Sequence, residues 1–285
     1  MKRCRDPSKG VFLSPARFGR AVFLAALWAS PVARAEWSGA AGLTSDNIER
    51  GVSQSDRRPT FTASLAWRHA TGMYASLGAS GVSRAQYAGG DGYKLAPELG
   101  WSGAFGQADD WHAGTFLRGQ YYPGAHGPWF GTLPTAVQNR AQQAKESNYG
   151  TAELGGSLGW RISTLSVTRS FTNYQGLSAA GTGPVGDQGI QSKGTVYVGL
   201  DLDWPVTDCL SLNVGAGHLN VPNFEDLGYS DWRAGVSVRG FGLRWGLQAS
   251  GSNASGAKYR VRSRGAGGGS GAAEKALVAS VAWIF

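Results

Sequence analysis

The sequence predicts an all-β chain: a transmembrane, antiparallel, up-and-down β-barrel of about 12 strands, within a range of roughly 10–14. Three observations predict it. Segments of period-two patterning recur along the chain, the connections between them sort into short and long, and tryptophans gather at one set of segment ends.

The patterned segments are 37–50, 60–69, 73–83, 93–103, 111–122, 148–160, 162–174, 194–204, 209–219, 231–239, 241–250 and 275–285. In the second, Phe61, Ala63, Leu65 and Trp67 alternate with Thr62, Ser64, Ala66 and Arg68. In the eighth, Val196, Val198, Leu200, Leu202 and Trp204 alternate with polar or small residues. In the eleventh, Phe241, Leu243, Trp245 and Leu247 alternate with Gly242, Arg244, Gly246 and Gln248. Successive side chains of a strand point to opposite faces, so each segment has one apolar and one polar face. No later stretch approaches 18 apolar residues, which leaves the closed barrel as the structure that satisfies every backbone group in hydrocarbon. Segments 37–50 and 148–174 are ambiguous, and the range in strand count comes from them.

The two ends place the barrel in the outer membrane of a Gram-negative cell. Residues 1–35 read as a secretory signal: Lys2, Arg3, Arg5, Lys9, Arg17 and Arg20 precede a short apolar core at 21–32. Ala33-Arg34-Ala35 then fits a cleavage site, so the mature chain, 36–285, is expected to start at Glu36. The last segment alternates Leu277, Ala279, Val281, Trp283 and Phe285. It resembles the final strand of outer-membrane barrels, and that likeness implies an assembly signal, Phe285, Trp283 and Val281, offered to the barrel-assembly machinery.

With a periplasmic N-terminus, the inner connections are Ala70–Gly72, Ala104–Asp110, Arg161, Pro205–Asp208 and Gly240, all short. The outer ones include Pro123–Ser147, Gln175–Lys193 and Gly251–Glu274, all long, which is the outer-membrane arrangement. Trp37, Trp67, Trp101, Trp111, Trp160, Trp204 and Trp283 all fall at the periplasmic ends, as an interfacial girdle requires.

Charge excludes one class of partner. The chain has 27 Lys+Arg and 19 Asp+Glu, net +8, but seven of the basic residues and one acid lie in 1–35. The mature chain is left near neutrality, so its basic character is no argument for nucleic acid. No metal or cofactor is expected. Asp109, Asp110, Glu225, Asp226 and Asp231 lack the ligand spacing of a calcium loop. An enzyme is not expected either, because none of the four histidines gives the His-x-Ser that would set base and nucleophile on one strand face.

The polar face carries the functional candidates: Arg68, Lys94, Glu98, His112, Arg118, Glu153, Asp201, Asp203, Arg233, Arg239 and Arg244. A basic ladder (Arg118, Arg233, Arg244) and an acidic one (Glu98, Glu153, Asp201) would line a constriction whose transverse field selects small hydrophilic, including anionic, solutes. Alternatively the same residues pair off and fill the lumen. Inward glycines (Gly100, Gly114, Gly199, Gly215, Gly217, Gly246) leave space, which favours the pore.

The stretch 43–56, with Gly72–Ser80 and Tyr121–Gly124, is similar to a proteobacterial family of conserved outer-membrane proteins of unknown function. Its N-terminal pattern is matched by Ser45, Asp46, Arg50, Gly51, Ser53 and Gln54, while Asn47 stands where the family has an aromatic. The resemblance implies an outer-membrane barrel and no particular activity.

The expectation is a passive channel in contact with outer-membrane lipid. A non-conducting structural or surface-interaction barrel is the alternative, and a lipid-modifying enzyme is third. Deleting Phe285 should impair assembly into the outer membrane while leaving secretion intact. Normal assembly, scored by heat-modifiable electrophoretic mobility of membrane fractions, would show the last segment has been over-read.

Overall fold

The computed structural model describes residues 35–106, 110–127, 147–179, 190–254, 259 and 273–285. The expected signal segment and the middles of the three long external connections lie outside these residues.

Twelve antiparallel strands close into a barrel. They are β1 (Glu36–Thr44), β2 (Thr60–Arg68), β3 (Met73–Gly81), β4 (Tyr93–Phe105), β5 (Trp111–Gln120), β6 (Thr151–Trp160), β7 (Ser163–Ser170), β8 (Val196–Pro205), β9 (Leu210–Asn220), β10 (Tyr229–Gly240), β11 (Leu243–Ser252) and β12 (Ala276–Ile284). Each pairs with its neighbours in sequence, so the topology is up-and-down. The strands tilt strongly. A row of paired residues that begins at Glu36, at the periplasmic end of β1, passes Arg68, Tyr74, Gly100, Phe116, Gly155, Thr168, Tyr197 and Leu219. It reaches Tyr229 at the external end of β10.

The ring closes through β1 and β12, from Ala40↔Ile284 to Thr44↔Ser280. Phe285 extends the closure: its N–H donates to Gly39 O (3.0 Å), and Gly39 N–H donates to Phe285 O (2.8 Å). The Phe285 ring lies where a side chain at Gly39 would stand, within 2.6 Å of an ideal Cβ there, and its centroid is 4.6 Å from that of Trp283. A glycine on β1 thus makes the bed for the last aromatic.

The outer face is apolar and exposed, with Leu43, Leu77, Leu99, Leu158, Leu165, Leu200 and Val214 among its residues. Trp111 sits between Phe105 and Trp160 on neighbouring strands, with ring centroids 6.4 Å apart in each pair, as part of the lower girdle. Trp232, Tyr121 and Phe171 are exposed near the opposite rim. A belt of exposed aliphatic residues between aromatic rims is what a hydrocarbon slab selects. The connections at the Trp-rich end are short, and those at the other end are longer.

Three expected strands are cut back by three residues or more. The segments 37–50, 148–160 and 162–174 are reduced to Glu36–Thr44, Thr151–Trp160 and Ser163–Ser170. In the first case the cause is a separate element. Ile48–Glu49 and Val52–Ser53 pair as a small hairpin outside the barrel ladder.

Leu200 lies near the middle of β8 on the outer face, between Leu165 and Ala216 on the flanking strands. Leu200→Arg should destabilise the barrel in lipid vesicles by about 2–4 kcal/mol in urea unfolding, the cost of a cation at the bilayer midplane. An unchanged midpoint would mean this face does not meet hydrocarbon.

Candidate functional site

All eleven polar-face candidates project to the side opposite the exposed apolar belt, into the lumen. The structure joins most of them side by side along the wall. Arg118 Nε donates to Glu98 Oε2 on the next strand (2.6 Å), and Tyr74 Oη donates to Glu98 Oε1 (2.8 Å). Arg233 pairs with Asp201 across Gly215. Arg68 donates to Ser102 Oγ (2.7 Å), with its guanidinium 5.4 Å from the centroid of the Tyr74 ring. The basic and acidic ladders therefore interlock instead of facing one another across a gap. Arg244 has no acidic partner among the described residues and is paired across the ladder with Arg239.

The inward glycines also behave differently from the expectation. A Cβ at Gly100 would strike the Tyr74 ring, and one at Gly217 would strike Tyr197. One at Gly215 would strike Asp201 and Arg233, and one at Gly159 would strike His112. These glycines do not leave the lumen empty; they let long neighbouring side chains lie flat on the wall.

Among the described residues, the hairpin crosses the lumen, with Tyr174 of the β7–β8 connection beside its tip. Arg50 and Gly51, at its tip, both have positive φ (49° and 72°), the backbone of a two-residue turn that twists with its strands. Glycine is required at 51, because a Cβ there would sit 2.6 Å from Asp231 Cβ on the far wall. Arginine at 50 is held left-handed, which costs a non-glycine residue about 1–3 kcal/mol. Its guanidinium gives the return. It donates to both Glu153 oxygens (2.8 Å each) and to Thr168 Oγ1 (3.2 Å), and it lies 4.5 Å from the Tyr197 ring centroid.

Next to it, the Glu49 carboxylate accepts from Lys94 Nζ and Gln120 Nε2. Burial works against ionising Glu49. The charges of Lys94 and Arg50 outweigh that and hold its pKa down at about 2. Since the folded value is the depressed one, this latch is at full strength above the ordinary 4.5 and is lost only as pH falls toward 2.

The base of the hairpin is as well anchored. Asp46 Oδ1 accepts from Ser53 Oγ (2.7 Å) and Ser55 Oγ (2.8 Å). Ser45 Oγ accepts from Ala279 N–H (3.0 Å). Asn47 Nδ2 donates to Ser80 Oγ (3.1 Å) and Gly81 O (3.3 Å), a polar tie to β3 where the family pattern has an aromatic. Gln54 accepts from the hydroxyl of Tyr87, and Tyr87 stacks on Tyr122 in a buried cluster with Val82, Ala125 and Tyr149. Val52 enters a second cluster with Tyr174, Leu177, Leu219, Phe224 and Leu227. The six matched residues of the motif, Ser45, Asp46, Arg50, Gly51, Ser53 and Gln54, thus all make contacts within the hairpin or between it and the wall around it. The expected strand 37–50 includes 45–50, which the fold gives to the hairpin and its approach instead.

The consequence is a closed level. Thr44, Ser80, Lys94, Gln120, Glu153, Thr168, Tyr197, Leu219, Asp231, Ser250 and Val278 face inward near the external ends of eleven strands, and all are buried. Toward the periplasmic ends, Arg68 and Asp203 are exposed, and His112, Thr164, Arg239 and Arg244 are half-buried. The inward face is therefore more exposed toward its periplasmic end than at the level of the hairpin.

His112 Nε2 lies 3.0 Å from Thr164 Oγ1 inside the lumen. The serine–histidine pair that does form, His218 Nδ1 to Ser230 Oγ at 2.9 Å, is on the outer face, and no hydrogen bond to its Nε2 is made among the described residues. No cluster of His, Cys, Asp and Glu able to hold a metal occurs among the described residues.

The model of a bacterial protein family of unknown function (Gcw_chp) matches residues 28–282. Among solved structures, the chain is similar to the KdgM porin at 5% identity, covering 88% of this chain and 99% of that one, with a TM-score of 0.43. It is similar to an outer membrane channel from Pseudomonas putida F1 at 11% identity, covering 93% and 99%, with a TM-score of 0.41. It is also similar to outer-membrane expressed OmpT of Vibrio cholerae at 9% identity, covering 90% and 99%, with a TM-score of 0.36. No curated protein matches the chain.

Gly51→Ala should loosen the hairpin while the barrel stays heat-modifiable. Trypsin cleavage after Arg50 in the folded, detergent-solubilised protein should rise by roughly tenfold or more, in line with a ~1–3 kcal/mol penalty at positive φ. Unchanged protection would mean the tip does not depend on this backbone geometry.

Proposed function

The chain belongs to this bacterial family of unknown function, and we propose that it is an outer-membrane channel for small hydrophilic solutes, closed at its external end by its own first connection. One observation carries the reading: among the described residues, a polar lumen whose inward groups are more exposed toward the periplasmic end is crossed at its external level by a tethered hairpin. A barrel built only as a solid body would fill with wall side chains. The tip of the hairpin is held by two ion pairs, while its base is held by Asn47, Gln54 and the apolar packing of Val52, so in this reading the tip swings away from the wall with the base in place. Wall-to-wall pairs such as Arg118–Glu98 stay in place when it does.

Anion preference is assigned to the periplasmic vestibule. Arg244 and Arg239 on β11 and β10, with Arg68 beyond the seam on β2, form a basic arc. Glu36 on β1, in register with Arg68, and Asp203 on β8, two strands from Arg239, are the acids of that level. A transverse field of this kind orders solutes by charge. Arg118 and Arg233 are neutralised locally and contribute less.

A second reading is a non-conducting barrel, favoured by the wall charges that pair off. Outer-membrane lipid and the barrel-assembly machinery, engaged through the Phe285 strand, are the partners under both readings. A lipid-modifying enzyme is third, and His112 would be a poor base for it because it faces a threonine inside the lumen.

Planar-bilayer recordings of the refolded chain test the channel. Wild type should show rare, discrete steps. Arg50→Ala should raise the open probability by at least about tenfold, because removing one partner of a buried ion pair is worth a few kcal/mol. In that variant, Arg244→Ala should lower the anion preference measured in a salt gradient. A silent bilayer with both wild type and Arg50→Ala, given heat-modifiable protein, would overturn the channel and leave the non-conducting barrel.

A further inference from the structure

The hairpin tip covers five wall groups drawn from five consecutive strands, β4 to β8: Lys94, Gln120, Glu153, Thr168 and Tyr197. They form two adjoining poles. Lys94 and Gln120 hold a carboxylate. Glu153 and Thr168 hold a guanidinium edge-on, and the Tyr197 ring lies beside it. The Glu153 side chain is 1% exposed and that of Lys94 is 10% exposed. When the hairpin withdraws, Glu153 and Lys94 lose the partners it gave them, while Arg118, next to Glu153 across the ladder, is already bonded to Glu98, and an uncompensated charge in a narrow lumen is strongly disfavoured.

A solute that supplies both missing charges relieves this, and it thereby favours the open state by its differential affinity. A simple anion satisfies Lys94 and leaves Glu153 bare. A simple cation does the reverse, and a neutral sugar satisfies neither. The bidentate geometry at Glu153 and the flat face of Tyr197 suit a planar guanidinium better than an ammonium.

We propose that the wall beneath the hairpin is a binding site for small dipolar solutes that carry a guanidinium beside a carboxylate, with Glu49–Arg50 as its tethered occupant. This rests on the channel reading in one respect, that the hairpin tip can leave the wall. The solute is then both cargo and key: it takes the place of the tip as the tip moves out.

The test empties the site and offers a free copy of its occupant. The refolded chain carrying Glu49→Ala and Arg50→Ala is titrated by calorimetry with the dipeptide Glu-Arg. Saturable binding is expected, at least about tenfold tighter than to wild type, whose site is filled, and at least about tenfold tighter than to the same variant carrying Glu153→Gln. Glutamate alone and sucrose should not bind. No binding to the folded variant, or binding indifferent to Glu153→Gln, overturns the proposal. If the double variant does not give a heat-modifiable barrel, Arg50→Gln alone takes its place, with the same Glu153→Gln comparison. Conductance of the same protein separates the two readings. Current with no binding leaves the channel standing and removes the site. Binding in a silent barrel keeps the site and removes the channel.

Discussion

A strand in hydrocarbon can satisfy its amide and carbonyl groups only on another strand, and the rest of this molecule follows from that demand. It forbids an edge, so the first and last strands must meet. They do so between Ala40–Thr44 and Ser280–Ile284, with Phe285 seated over Gly39 to finish the row. It also forces a steep tilt, because twelve strands close only if the register advances around the ring. The cost of this solution is an interior wider than one layer of wall side chains, in the interval between barrels that fill themselves and barrels that conduct.

The chain manages that interior in two ways. Glycines along the inner face let Tyr74, Tyr197, His112 and the Arg233–Asp201 pair lie against the wall, so polar groups find partners without crossing the lumen. Among the described residues, what crosses comes from the first connection. The charge pairs divide accordingly. Arg118–Glu98 and Arg233–Asp201 join wall to wall and are permanent features of the barrel. Arg50–Glu153 and Lys94–Glu49 join wall to hairpin, and they break without disturbing a single backbone hydrogen bond of the ladder. Strength is placed in the ladder, and reversibility in the side chains.

The barrel was legible because period-two patterning, short periplasmic turns and interfacial tryptophans are each imposed by the bilayer on local sequence. Phe61 to Trp67 shows its outer face without knowing its neighbours. The closed level was not legible, since it depends on register: only the pairing of β5 with β6 decides that Arg118 stands beside Glu153, and only the fold brings Arg50 to it. Within 37–50 the outer-face alternation ends at Leu43, since Ser45, Asn47 and Glu49 follow on that face, but a hairpin strand has the same period as a barrel strand. A local sign was nonetheless present. Glu49-Arg-Gly-Val52 places glycine at the second position of a two-residue turn, with strand-forming residues on either side. Weighing that glycine against the alternation would have ended β1 six residues earlier.

Arginine at position 50 is the choice that needs explaining. Asparagine or glycine would make the same turn at lower strain, so the turn alone does not select it. Nor does stability in general, since a buried ion pair is often no better than well-packed apolar residues. Arginine makes sense if the contact must be specific while it lasts and separable afterwards. A bidentate pair fixes the tip against Glu153 in one orientation, and it leaves behind, on parting, a site that remembers the shape and charge of what it held. An apolar tip would have plugged the lumen as well and left nothing there for a hydrophilic solute to recognise.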